Sequence, residues 1–176
     1  MFFVKILSDF LGVLRSGQTP RQIAGGFALG SLVGLSPALT LQGLGIWLII
    51  LVLDVNLSAA ILSFALFSLI AFILDPVFHY LGYFLLADFD SLRSLWTALY
   101  NAPIAPLTRF NNTIVLGSFV SAMALAYPAF LGMKKFVIAY RDHLHARVEQ
   151  WKVYKIISKN FLVQWYLTVR DWGIVP

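Results

Sequence analysis

A chain of 176 residues that is 60% apolar and 12% charged, with a mean hydropathy of +0.81, is about one domain long and poorly suited to water, because soluble domains run near half apolar and a quarter charged. The absence of cysteine excludes a disulfide framework and a thiolate metal site. The net charge of +5 lies wholly in the C-terminal tail: Lys5, Arg15, Arg21, Arg93 and Arg109 balance Asp9, Asp54, Asp75, Asp88 and Asp90, and eight cations then face Asp142, Glu149 and Asp171.

Residues 1–18 place Phe3, Ile6, Phe10 and Val13 at helical spacing with Lys5, Asp9 and Arg15 opposite, which predicts an amphipathic helix on a membrane surface. It has no small-residue cleavage site and does not read as a removed signal peptide. Thr19-Pro20 then starts a helix, the threonine offering a capping oxygen and the proline a pre-set first helical angle.

A membrane domain is predicted over 19–133. Residues 23–53 are uncharged but interrupted by Gly34-Leu35-Ser36-Pro37, where proline removes a backbone donor and clashes with the preceding turn. The pieces 23–35 and 38–53 are about 20 and 24 Å long as helices, short of a hydrocarbon core of about 30 Å. A re-entrant hairpin fits these lengths.

Residues 57–74 read as a first crossing, ended by Asp75-Pro76 with Asp75 as a cap, and 76–87 as a second short membrane helix. Two proline-broken pairs are the arrangement at which secondary transporters build binding sites. The loop 88–112 holds a short amphipathic helix marked by Leu92, Leu95, Trp96 and Leu99, with Asp90 or Ser91 as its cap; Trp96 and Tyr100 suit a membrane interface. A second crossing is predicted over 113–131, with Pro128 kinking its end.

From 134 to 176, Val137, Tyr140, Leu144, Val148, Trp151 and later apolar residues keep steps of three or four among lysines and arginines. This reads as a basic amphipathic cytoplasmic tail that meets anionic membrane lipids or docks a protein partner. The fold class is therefore all-α: a polytopic helical membrane protein with proline-broken, re-entrant helices and amphipathic surface helices. Cations flank both ends of the apolar region, placing both termini in the cytoplasm, with two crossings between them.

Gly26, Gly30 and Gly34 recur every fourth residue on one helix face. Close packing of another helix is the plain reading; a ligand-approach surface beside the Pro37 break, where helix-end amides would meet an anion, is the sharper one. Asp75 marks a functional position inside an apolar segment, and His79 one turn later suggests a pair that relays a proton or holds a cation, weighed against an ordinary cap and an ordinary hydrogen bond. Asp54 and Asn56 lie in a turn where capping or solvated roles are expected. The candidate substrate-binding set is Gly30, Gly34, Ser36, Pro37, Thr40, Gln42, Asp75 and His79. His143 and His145 are two apart and make a poor metal site, so no metal and no cofactor are expected. No phosphate loop, nucleophile elbow or dinucleotide fingerprint occurs, and neither an enzyme nor a nucleic-acid binder is expected.

The stretch from Pro20 to Pro37 reads P-x-x-I-A-x-G-F-A-x-G-x-x-x-G-x-x-P, followed by Thr40 and Gln42, and resembles the signature of domain-of-unknown-function family 2062. Asn56 and the segment from Pro76 to Gly82 resemble later family positions, with Asp75 where asparagine is usual. The resemblance covers about 17–86 and implies a bacterial inner-membrane protein without an assigned reaction. The leading expectation is a non-enzymatic inner-membrane protein that handles a lipid or other small anionic substrate, by transport or as the membrane component of such a system, alone or as a homo-oligomer. The alternatives are an anchor or assembly factor docking through its tail and a membrane enzyme using Asp75 and His79.

Overall fold

The computed structural model describes residues 12–13 and 17–144. Among these the secondary structure is wholly helical: α1 (Pro20–Leu35), α2 (Leu41–Val52), α3 (Leu57–Tyr83), α4 (Arg93–Tyr100) and α5 (Thr113–Ala139), with wide π turns at Phe84–Asp88 and Tyr140–Leu144 and 3-10 turns at Asp90–Leu92 and Ala105–Thr108. The surface helix expected over 1–18 and most of the basic tail lie outside the described residues.

Helix α1 begins with a capping box. Thr19 Oγ1 accepts from the Gln22 backbone, and the Gln22 side chain accepts from the Thr19 backbone at 2.8 Å, which satisfies two of the amide donors at the helix start. At its far end the Ser36 backbone and side chain both donate to the Leu32 carbonyl. Thr40 then starts α2, its Oγ1 accepting from Gly43 N at 3.3 Å. The chain returns to its starting level: Gln22 Nε2 donates to Asp54 Oδ2 at 2.7 Å, and Asn56 N donates to the Gln22 carbonyl at 3.0 Å. Residues 20–56 thus form a helical hairpin closed at its foot, with the break at 36–40.

Helices α3 and α5, 27 residues each, are about 40 Å long at 1.5 Å per residue and run antiparallel. At one end Met133, Val137 and Tyr140 of the α5 side pack with Val13, Ile23, Ala24 and Ala59. At the other, Gly82 of α3 lies against the Thr113 backbone and Gly117 of α5 against that of Phe78. Helix α1 spans only the first part of this pair, and beyond its tip α3 and α5 meet through these glycines.

Two expectations are corrected. The break at Asp75-Pro76 does not occur, since α3 runs through Pro76 to Tyr83 and on into the turn ending at Asp88; Asp75 is no cap and 76–87 is no separate helix. The physical reason lies beyond the proline, where Phe78 is 3% exposed and Gly82 is held against α5. Likewise the second long helix continues past 131 to Ala139 with Pro128 inside it, so the first tail residues extend α5. Two members of the tail stripe, Val137 and Tyr140, are buried in the bundle rather than offered to a partner.

Two helical stretches, Leu57–Asp88 and Thr113–Asp142, are long and apolar enough to cross a membrane. Only 17% and 28% of their apolar windows are buried, unlike the core helix of a water-soluble domain. Val52, Phe72, Ile73 and Tyr80 are among the apolar side chains that face outward.

Candidate functional site

The glycine face resolves first. A Cβ at Gly26 would fall on the Asn56 carbonyl, one at Gly30 on the Ala60 carbonyl, and one at Gly34 within 2.7 Å of the Phe64 carbonyl. Asn56, Ala60 and Phe64 are themselves four apart, so two helix faces mesh backbone to backbone, the arrangement that small residues permit. Ser63 reaches across the seam to the Phe27 carbonyl at 2.6 Å. Gly26 and Gly30 are therefore packing residues.

Gly34 belongs to this seam and also to a cavity. Where α1 stops, a space of about 300 Å³ is left between its tip and the long helices, lined by Gly34–Ala38 of the break, by Phe64, Ser68, Ala71, Phe72 and Asp75 of α3, and by Ile114 and Ser118 of α5. The structure thus brings Gly34, Ser36 and Pro37 together with Asp75, which lies 38 positions from Pro37 in the sequence. Among the described residues the Asp75 carboxyl and the Ser68 hydroxyl have no hydrogen-bond or ion-pair partner. Ser36 Oγ donates to the Leu32 carbonyl at 2.7 Å, and Ser118 Oγ to the Val115 carbonyl at 3.2 Å.

The other candidates fall outside this cavity. Thr40 is the α2 cap, its Oγ1 bonded to the Pro37 carbonyl at 2.8 Å and to Gly43 N. Gln42 holds a buried Oε1 without a partner. His79 does not pair with Asp75: its Nδ1 lies 2.6 Å from Thr113 Oγ1 across the α3–α5 seam, an ordinary interhelical bond. The relay suggested by the sequence is therefore not assembled. Nor do the α2 amides line the cavity. The helix end facing it is the carbonyl end of α1, and among the described residues its one ionisable group is an acid, so the anion expected from the helix break has the wrong charge for these walls.

Sequence reasoning missed Ser68, Ser118 and the Gly82 and Gly117 contacts. A signal existed for the first: Phe64, Ser68, Ala71, Phe72 and Asp75 recur at helical steps of three and four on α3. Ser118 lies deep in an apolar run and acquires meaning only once α5 is placed. A second space of about 350 Å³ lies at the far end of the bundle between Leu86, Trp96, Thr97, Tyr100, Phe110 and Asn111. There Trp96 stacks on Phe110 and donates to the Leu85 carbonyl. Among the described residues that space has no charged lining. Among the described residues no group of three or more histidines, cysteines or acids could hold a metal ion.

A protein of Treponema pallidum (strain Nichols) described as "Uncharacterized protein" is 23% identical over 154 residues, which cover 88% of this chain and 94% of that protein. No solved structure matches the chain. The family described as "Uncharacterized protein conserved in bacteria (DUF2062)" matches residues 5–145, which take in the hairpin, both long helices and the cavity between them. On that match the chain belongs to this bacterial family.

Proposed function

We propose that the protein resides in the bacterial inner membrane, where α3 and α5 cross the bilayer, the α1–α2 hairpin enters from the cytoplasmic face without crossing, and the cavity at the hairpin tip binds a small solute for transport. The observation that carries this reading is a carboxyl, Asp75, with no partner among the described residues, facing a cavity partway along the more apolar of the two long helices. An acid inside such a segment is costly unless it serves a ligand, an ion or a water-filled space. No enzymatic step is required of it.

Orientation follows from charge. The hairpin foot lies at the end of the bundle that carries Arg21, Lys134, Lys135 and Arg141, with Arg141 donating to the Gln18 carbonyl at 2.9 Å. The opposite end carries Asp88, Asp90, Arg93 and Arg109. Positive charge concentrates in the cytoplasm, which supports a cytoplasmic foot and, with it, cytoplasmic termini. On that orientation the cations from 145 onward, outside the described residues, would be attracted by the anionic lipids of the cytoplasmic leaflet.

The absence of native cysteine makes the topology directly testable with single introduced thiols. An impermeant maleimide is expected to label Asp54→Cys only from the cytoplasm and Asp90→Cys only from outside. Leu39→Cys at the hairpin tip should be labelled from neither side, although Leu39 is 90% exposed in the folded chain, so that only lipid could shield it. Labelling of Leu39→Cys from outside would make the hairpin a pair of crossings and end this reading. For the binding role, native mass spectrometry should find a small molecule retained by the wild type and lost from Ser68→Phe, which fills the cavity. Identical spectra would count against it.

A further inference from the structure

We infer that the cavity takes a small organic cation, an ammonium group carried on a short apolar chain; this rests on the reading of the cavity as a ligand site. Apart from the Ser68 hydroxyl, the polar side chains of its wall present acceptors. Asp75 offers a carboxyl with no partner among the described residues. The hydroxyl protons of Ser36 and Ser118 are already donated to the carbonyls of Leu32 and Val115, so toward a ligand these side chains present lone pairs. Gly34 and Leu35 are the last residues of α1, where carbonyls lack donors and the helix dipole is negative. Pro37 has no N–H with which to satisfy the Val33 carbonyl.

Among the described residues no lysine, arginine or histidine lines the space. A carboxylate or phosphate would meet an acid there, with the Ser68 hydroxyl as the chief donor left to receive it. An ammonium brings three donors and a positive charge to the same wall.

The remaining wall says what the rest of the ligand is. Leu35, Phe64, Ala71, Phe72 and Ile114 are apolar, and an aromatic face near a cation adds attraction. A volume of about 300 Å³ equals roughly ten water molecules at about 30 Å³ each. That is too roomy for a dehydrated alkali ion, and a lone carboxyl is too few ligands for a divalent one. Phe72 is 81% exposed, so the cavity reaches the outer face of α3, where an amphiphilic amine can enter from the bilayer.

The test uses the full chain in lipid nanodiscs, titrated by calorimetry with n-hexylammonium, 1-hexanol and hexanoate against empty nanodiscs as the blank. Saturable binding of hexylammonium is expected, weakened about ten-fold or more by Asp75→Asn, the scale of a lost charge-assisted hydrogen bond, and largely kept by Asp75→Glu. Thermal melts of both variants establish that they fold, and Ser68→Phe blocks the cavity without touching the carboxyl. Hexylammonium affinity that is indifferent to Asp75→Asn, or hexanoate binding tighter than hexylammonium, overturns the cation assignment. If hexylammonium fails in either way while hexanol or hexanoate binds saturably and Ser68→Phe abolishes it, the cavity stands as a ligand site and only its charge class is lost. Absence of saturable binding by all three compounds overturns both readings.

Discussion

Pro37 and Pro76 each stand between apolar runs, and the chain treats them in opposite ways. At Pro37, Ser36 donates twice to the Leu32 carbonyl and Thr40 caps a new helix three residues on, so stopping α1 strands few polar groups and α2 can begin at once. At Pro76 no such set of side chains follows. Phe78 and Gly82 are instead locked against α5, and α3 continues although Pro76 cannot donate to the Phe72 carbonyl. A proline ends an apolar helix where neighbouring side chains replace the lost bonds and a cap follows, and it is carried through where packing on both sides holds the axis. Pro37 and Asp75, the residue before Pro76, also line one cavity.

The strongest way to break this comparison is to remove the packing that carries α3 past its proline. Gly117→Leu sets a side chain onto the Phe78 backbone and is expected to destabilise by on the order of 3 kcal/mol, read as a lowered thermal midpoint of the purified protein in detergent. Gly30→Leu, against Ala60, should match it; a wild-type midpoint for Gly117→Leu would show that this seam does not hold α3. Next in size, replacing the prolines should give opposite signs. Pro76→Ala restores a donor inside a continuous helix and should stabilise by about 1–3 kcal/mol. Pro37→Ala only loosens a capped break and should destabilise by about 0.5–1 kcal/mol. The same sign and size at both positions would refute the distinction drawn here.

Smaller still, Thr40→Ala removes the cap that restarts the chain as α2 and should cost about 1 kcal/mol, with Thr40→Ser restoring most of it. The floor is set by Arg93→Ala. Its 3.1 Å pair with Asp90 joins side chains that are 76% and 83% exposed, and an exposed pair is worth about 0–1 kcal/mol. A midpoint shift as large as that of Thr40→Ala would mean that this end of the bundle is more tightly organised than its exposure indicates.

Much of the local structure was legible because its causes are local. Thr19-Pro20 and Asn56 announce helix starts by side chains that reach three residues along their own backbone, and both act as caps; Thr40, expected in the binding set, is a cap of the same kind. The glycine spacing from 26 to 34 announces a close helix partner, whichever helix that proves to be. The error at Asp75-Pro76 came from a signal of the same local kind: Asp-Pro is a helix start in isolation, and nothing within four residues shows that Phe78 and Gly82 will be clamped by α5. The His79 relay failed for a similar reason, since its partner Thr113 is 34 positions away. Within the candidate set the cavity kept Gly34, Ser36, Pro37 and Asp75, added Ser68 and Ser118, and left Gly30, Thr40, Gln42 and His79 outside.

By itself the sequence determined an all-helical, strongly apolar chain, the hairpin break near Pro37 and the meshing glycine face, because composition, periodicity and capping act through neighbours along the chain. Only the tertiary structure decided that α3 passes through Pro76, and that the tip of α1 stops beside Asp75 to leave a cavity of acceptor character. Those outcomes depend on which backbones lie against one another, and a glycine or an acid acquires its role from the surface it meets across the bundle.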